Sequence, residues 1–300
     1  KKGIKFLNLD IEEPRKKQHK EFWDKLDILD RESLEKKIQQ FHPTHICHLA
    51  AKTGMDIDSI SYFDANISGV ENLIKLSNKY KSIDKVLFTS SLLVCENGYI
   101  PKNHDDYCPP NLYGESKMIG EQLVKDSEIE NFKWSIVRPA SVWGPWFEGG
   151  YTTFFQVISK GLYMHPGREE IVKPITYVGN TVEMMFRIMI SDEANQDVFY
   201  LSDYPNVSTR EWSTSIQESL NGQKIRTAPK ALIKFFAKIG DILKFFGYAD
   251  PPITSFRLKN MFTGGIYPIE NTKKICGDLP YSLRKGVDLT VNWLRSQKLI

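Results

Sequence analysis

Two hydrophobic rhythms alternate along the first half of the chain. Short apolar, β-branched runs at Ile4 to Leu9, Thr44 to Leu49, Lys85 to Thr89 and Trp134 to Val137 each end near polar or small residues and predict strands. Between them, helical spacing covers Ser33 to Phe41, Ala65 to Tyr80 and Leu112 to Asp126, the first opened by an Asp30/Ser33 capping region. Strands alternating with crossover helices predict an α/β fold with a parallel sheet. After Gly144-Pro145 the rhythm breaks into turns at Gly149-Gly150, His165-Pro166-Gly167 and Asp250-Pro251-Pro252, which predicts a second, smaller lobe. One more strand-like run, Val198 to Leu201, is placed to return to the main sheet.

Composition narrows the picture. Hydrophobic residues at 41% and charged residues at 26% fit a folded globular chain and exclude disorder, collagen repeats and coiled coil. Forty basic against 37 acidic side chains leave a net charge of +3, too little to make nucleic acid the expected partner. Cys47, Cys95, Cys108 and Cys276 lie far apart with no Cys-x-x-Cys pair, which argues against a zinc ribbon or a disulfide framework and fits a reducing cytoplasm. No apolar run approaches the ~20 residues that span a bilayer, and the first residues do not read as a signal peptide.

The candidate chemistry starts with Tyr113-Gly114-Glu115-Ser116-Lys117, which puts a phenol and an ammonium four residues apart on one helix face. A cation held beside the phenol lowers its pKa from about 10 toward neutrality, a shift of three units corresponding to about 4 kcal/mol. Upstream, Ser90-Ser91 follows the strand Lys85 to Thr89, and a hydroxyl at the carboxyl end of a parallel strand lies where ligands bind. Ser91, Tyr113 and Lys117 therefore form one candidate constellation.

In order and spacing, His48-Leu49-Ala50-Ala51, Asn66-x-x-Gly69, Phe88-Thr89-Ser90-Ser91, Tyr113-x-x-x-Lys117 and Arg138-Pro139-Ala140-Ser141-Val142-Trp143-Gly144-Pro145 resemble the extended short-chain dehydrogenase/reductase family, and most closely its NAD-dependent sugar-nucleotide epimerase/dehydratase branch. The resemblance implies a doubly wound Rossmann-type sheet over residues 1–148 with 174–207, and a smaller α+β substrate lobe over 149–173 with 208–300. It implies that Tyr113 is the acid/base, that Lys117 binds the nicotinamide ribose and tunes Tyr113, and that Ser91 holds the reacting hydroxyl. Asp10, ending the second strand of that fold, would accept both ribose hydroxyls and repel a 2′-phosphate, so NAD is expected over NADP. Asp27 and Ile28 match the position that meets adenine. Leu49, Ala50, Ala51, Asn66, Ser90 and Pro139 complete the implied cofactor contacts, with Ser141, Lys173 and Arg257 toward the substrate and Arg168 as a further diphosphate candidate. A homodimer seam of the helices after Ala65 and Leu112 is also implied. The implied reaction removes a sugar hydroxyl's proton at Tyr113 while hydride leaves the same carbon, giving a transient ketone that is reduced from the other face.

Several positions depart from the family's pattern. Leu92-Leu93 replace an Asp-Glu pair used for dehydration, so dehydration is not expected. Val94-Cys95-Glu96 stands where Val-Tyr-Gly is usual, and Ser141 where Asn is frequent. No Gly-x-Gly-x-x-Gly or Gly-x-x-Gly-x-x-Gly motif is present, and Lys1-Lys2-Gly3 reads as the tail of a helix, so the fold's first strand and Gly-rich turn are expected to be missing from these residues. A dehydrogenase or ketoreductase, or a non-catalytic dinucleotide-binding protein, stand as alternatives. His42, His45 and His48 recur every third residue, but two of them share a strand on which that spacing points side chains to opposite faces, so no metal is expected. Lys230 to Phe246 interleaves lysines with large apolar residues, the pattern of a basic interfacial helix or of one packed on the core.

Overall fold

A computed structural model describes residues 3–147, 149–248, 251 and 253–300. In chain order the first elements are β1 (Asn8–Asp10), β2 (Trp23–Lys25), α1 (Arg31–Phe41), β3 (His45–His48), α2 (Asp64–Lys79), β4 (Lys85–Thr89), α3 (Leu112–Asp126) and β5 (Lys133–Pro139). They continue through β6 (Ser141–Trp143), α4 (Gly150–Ser159), β7 (His165–Pro166), β8 (Val172–Lys173), β9 (Ile175–Tyr177), α5 (Val178–Ile190) and β10 (Asp197–Leu201). The chain closes with β11 (Val207–Ser208), α6 (Thr209–Ser219), β12 (Thr227–Ala228), α7 (Lys230–Phe245), α8 (Ser255–Phe262), α9 (Glu270–Cys276) and α10 (Leu283–Ser296).

Two compact units result. The first comprises 1–96, 103–138 and 188–199, and the second 97–102, 139–187 and 200–300. The division falls at 138 rather than at the expected 148, and 174–187 and 200–207 belong to the second unit.

In the first unit a four-stranded sheet has the order β10-β5-β4-β3, with β3, β4 and β5 parallel. Val86, Leu87 and Phe88 are all buried, the condition under which a parallel strand reads as a continuous apolar run. The core joins Ile38, Leu73, Val86, Phe88, Val124 and Ile136. Capping explains the helix starts: Asp30 accepts the Ser33 amide at 3.0 Å to open α1, and Asn111 accepts the Gly114 amide at 2.9 Å to open α3. Lys85, buried at the start of β4, donates to the carbonyls of Ile188, Ser191 and Ala194 at 2.8, 2.7 and 2.5 Å, satisfying acceptors that follow the last turn of α5.

The expected strand from Ile4 to Leu9 is shorter and is placed differently. Only Asn8–Asp10 is extended in a ladder, and it pairs in parallel with β2 outside the four-stranded sheet. Ile4 and Phe6 are exposed. The second unit is built from short two-stranded ladders, β6 with β9, β8 with β11 and β7 with β12, around Trp143, Phe155, Tyr177, Trp212, Val287 and Leu294. Trp143 and Phe155 are fully buried core residues.

Candidate active site

The carboxyl end of β4 and the first turns of α3 bring the candidate residues together. Ser91 caps the short 3-10 turn Leu92–Val94 by accepting the Leu93 amide at 3.1 Å, and its hydroxyl acts to lower the pKa of the Tyr113 phenol. Gly114 makes this juxtaposition possible: a Cβ there would lie 2.1 Å from the Leu93 carbonyl oxygen, so only glycine lets the turn press against α3. The Tyr113 ring leans on Phe63 at 6.1 Å between centroids.

Lys117, one turn further along α3, is buried and donates to the Thr89 carbonyl at 2.9 Å. Burial pulls its pKa down to about 8, opposed by Glu121. The expected depression of the Tyr113 pKa is not found in the cofactor-free chain. Burial raises the phenol above its ordinary value and the Ser91 hydroxyl only partly offsets that, while the ammonium of Lys117 is engaged by a main-chain carbonyl. His48, buried beside this site, is pushed down to about 3 by burial and then by the Lys117 charge, so it stays neutral.

Asn66 is buried and fully engaged within the protein. Its Oδ1 accepts the Lys52 amide at 2.7 Å, and its Nδ2 donates to the Lys52 carbonyl at 3.0 Å and to Ser116 Oγ at 2.9 Å. It thereby ties the segment after β3 to α3. That segment exposes Leu49, Ala50 and Ala51. Asp10, at the end of β1, is exposed and accepts the Glu12 amide at 3.0 Å, while its carbonyl accepts the Leu26 amide at 3.1 Å. Asp27 is exposed next to Leu26, and the Ile28 carbonyl accepts from Asn72 at 3.1 Å. Pro139 ends β5, half-buried.

The candidate substrate residues belong to the second unit. Burial raises the pKa of the Tyr151 phenol, and the Ser141 hydroxyl acts against that rise. Lys173 donates to the Thr263 carbonyl, and burial lowers its pKa to about 8. Arg168 is exposed. The side chain of Arg257 lies outside the described residues.

Sequence reading missed the ion pair beneath α3. Arg138 and Glu121, both fully buried, meet through Nε to Oε1 at 2.9 Å and Nη2 to Oε2 at 2.7 Å. Arg138 Nη2 also donates to the His104 carbonyl at 2.6 Å, and the Tyr107 phenol donates to Glu121 at 3.0 Å. One signal was available: Tyr113, Lys117, Glu121 and Lys125 recur at four-residue intervals and form a single stripe on the helix.

With this geometry in hand, the model of the NAD dependent epimerase/dehydratase family matches residues 1–201. The chain belongs to the NAD-dependent epimerase/dehydratase family. Among curated relatives of this family member, the Escherichia coli O157:H7 N-acetyl-alpha-D-glucosaminyl-diphospho-ditrans,octacis-undecaprenol 4-epimerase is 25% identical, over 92% of this chain and 86% of the relative. The Vibrio cholerae UDP-glucose 4-epimerase is 26% identical, over 82% of this chain and 75% of the relative. Among solved structures, the Thermotoga maritima UDP-glucose 4-epimerase with UDP-glucose superposes with a TM-score of 0.70 at 20% identity, covering 99% of this chain and 92% of that one, a likeness of fold.

NAD is the cofactor of this epimerase/dehydratase family member, and the residues present suit it. Ser90 Oγ and Thr89 Oγ1 are buried at the carboxyl end of β4 with no hydrogen-bond partner, unsatisfied polar groups of the kind a bound polar ligand engages. Asp10 presents an exposed carboxylate of the kind that accepts ribose hydroxyls.

Proposed function

We propose that this chain is an epimerase that inverts one carbon of a nucleotide-linked sugar, with Tyr113 as the proton-transferring group. The packing of the Ser91 turn against α3 at Gly114, with Tyr113 and Lys117 one turn apart on that helix, carries the reading. When bound, NAD supplies a reversible hydride acceptor. Tyr113 removes and returns the proton of the sugar hydroxyl, and Ser91 holds that hydroxyl against it. Lys117 contributes positive charge beside the nicotinamide ribose. Asp10 and Asp27 hold the adenosine end, with Ile28, Leu49, Ala50, Ala51, Ser90 and Pro139 along the rest of the cofactor. Asn66 keeps the segment after β3 and α3 in register. Ser141 and Lys173 hold the sugar and its diphosphate, together with Arg257.

The experiment supplies NAD and candidate UDP- and dTDP-hexoses to the purified chain and to Tyr113→Phe. The expected result is epimer formation that falls by about 10³-fold or more in the variant, with the melting temperature unchanged. Stoichiometric NADH without epimer would instead make the protein a dehydrogenase, and an unchanged rate in Tyr113→Phe would remove the phenol from the chemistry.

A second reading keeps the reaction and changes the carrier of the diphosphate to a polyprenol. The exposed apolar face of α7 favours it, as does the carrier in the name of the Escherichia coli relative. In either case the enzyme works in the cytoplasm, as its four free thiols suit a reducing compartment, and as a homodimer joined through α2 and α3. Sedimentation analysis tests the dimer.

A further inference from the structure

We propose that the outer face of α7 docks the protein onto an anionic lipid bilayer. The helix is apolar on two opposite sides. Ile233, Ala237 and Gly240 form the buried side, and a Cβ on Gly240 would lie 1.8 Å from the Ile253 carbonyl oxygen, so this side is seated directly on the backbone that leads into α8. On the opposite side Phe235, Phe236, Ile239, Ile242, Leu243 and Phe246 are all exposed. At 100° per residue they fill one sector about 120° wide, the width of a core-facing stripe, yet among the described residues nothing covers it.

The most exposed rings stand at the carboxyl end. Phe245 and Phe246 are 85% and 79% exposed, with ring centroids 5.5 Å apart. They are held outward by a formed cap rather than by a loose end. Gly247 takes a positive φ of 89°, its amide donates to the Lys244 carbonyl at 3.1 Å, and the Tyr248 amide donates to the Leu243 carbonyl at 3.0 Å. A contiguous apolar sector on a rigid element marks an interaction surface, unlike scattered single residues.

Charge selects the occupant. Lys234 and Lys238 run along one flank of the apolar sector, in line with Lys230, which is paired with Glu169, and Lys244 stands at the carboxyl end on the side of Ile233 and Gly240. Four lysines against the single Asp241 give the helix a charge of +3. A second copy meeting this face by two-fold symmetry would set lysine against lysine, whereas anionic headgroups meet them with opposite charge. A helix of 16 residues is about 24 Å long, too short to span the hydrocarbon core and well suited to lie in the interface, with rings among the acyl chains and lysines at the phosphates. No helix among the described residues is long and apolar enough to cross a membrane.

Docking stands apart from the catalytic reading. Joined to it, and only in that step resting on it, docking brings the active site to a sugar whose diphosphate is anchored in the bilayer.

The test uses the full chain with vesicles of phosphatidylcholine alone, or of phosphatidylcholine with phosphatidylglycerol, read by co-sedimentation. Binding is expected on the anionic vesicles, and to fall roughly tenfold or more in the double variant Phe245→Ser/Phe246→Ser, in Lys234→Glu/Lys238→Glu, and for the unchanged chain in high salt. Both variants change exposed side chains, so melting temperature and turnover of a water-soluble nucleotide sugar are expected to stay unchanged. That turnover reports on the catalytic reading independently of the vesicles. Failure of the unchanged chain to bind anionic vesicles overturns the proposal, as does equal binding by both variants. So does a concentration-dependent dimer that the phenylalanine variant abolishes in the absence of vesicle binding.

Discussion

At the residue scale, the least conspicuous side chains carry the largest energetic consequence. Arg138 stands at the end of an apolar strand and Glu121 on an amphipathic helix, and neither reads as half of an ion pair until the fold brings them together. Once buried, each charge depends on the other, because removing one leaves its partner uncompensated where water cannot reach. Glu121→Gln is expected to destabilise the chain by about 3–5 kcal/mol, measured by urea denaturation, with much of the loss recovered when Arg138→Met is added. Tyr113 makes the complementary point. Its spacing to Lys117 was legible, but the direction of its pKa shift was not, because burial and the carbonyl that engages Lys117 are properties of the fold.

At the scale of elements, α2, β4 and α3 were legible nearly to their ends, since continuous apolar runs and helical spacing are local signals. The turn that presents Ser91 was less so. Leu92-Leu93 reads as a missing proton-transfer pair, while its structural use is to place the Leu93 carbonyl against Gly114. Gly114→Ala must push that turn away from α3 and separate Ser91 from Tyr113. We expect kcat to fall about 10- to 100-fold with KM little changed, and stability to drop by about 1–3 kcal/mol, both read from steady-state kinetics and denaturation. β2 escaped sequence reading because Trp23-Asp24-Lys25 has no alternating apolar pattern; only its pairing with β1 makes it a strand.

At the scale of the whole molecule, burial penalises the charge of Lys85 and Lys117 in the first unit and of Lys173 in the second, each pulled down to about 8. Unfolded lysine titrates near 10.4, so between about pH 8 and 10 these side chains bind more protons in the unfolded chain than in the native one. These lysines make stability rise with pH across that window, while the buried thiols of Cys47 and Cys276, pushed up to about 11, act in the opposite sense. Lys117 alone accounts for a change on the order of 3 kcal/mol. Between pH 7.5 and 9.5 the stability change of Lys117→Met is expected to lie about 2 kcal/mol below that of the unchanged chain, measured by denaturation at the two pH values. An equal change in both proteins would mean that Lys117 is not buried as a charge.

By itself the sequence determined the α/β class, the order of the main strands and helices, the family, and the presence on α3 of a phenol and an ammonium one turn apart. The class, the order of elements and the pair on α3 follow from periodicity and spacing, which act over a few residues, and the family from motifs that resemble it. Tertiary structure alone decided which groups lost water and what faced them: the Arg138–Glu121 pair, the carbonyl that holds Lys117, the full burial of Trp143, and the exposure of Phe245 and Phe246. Burial depends on residues distant in the chain, and desolvation energies change with every neighbour, so no local pattern encodes them.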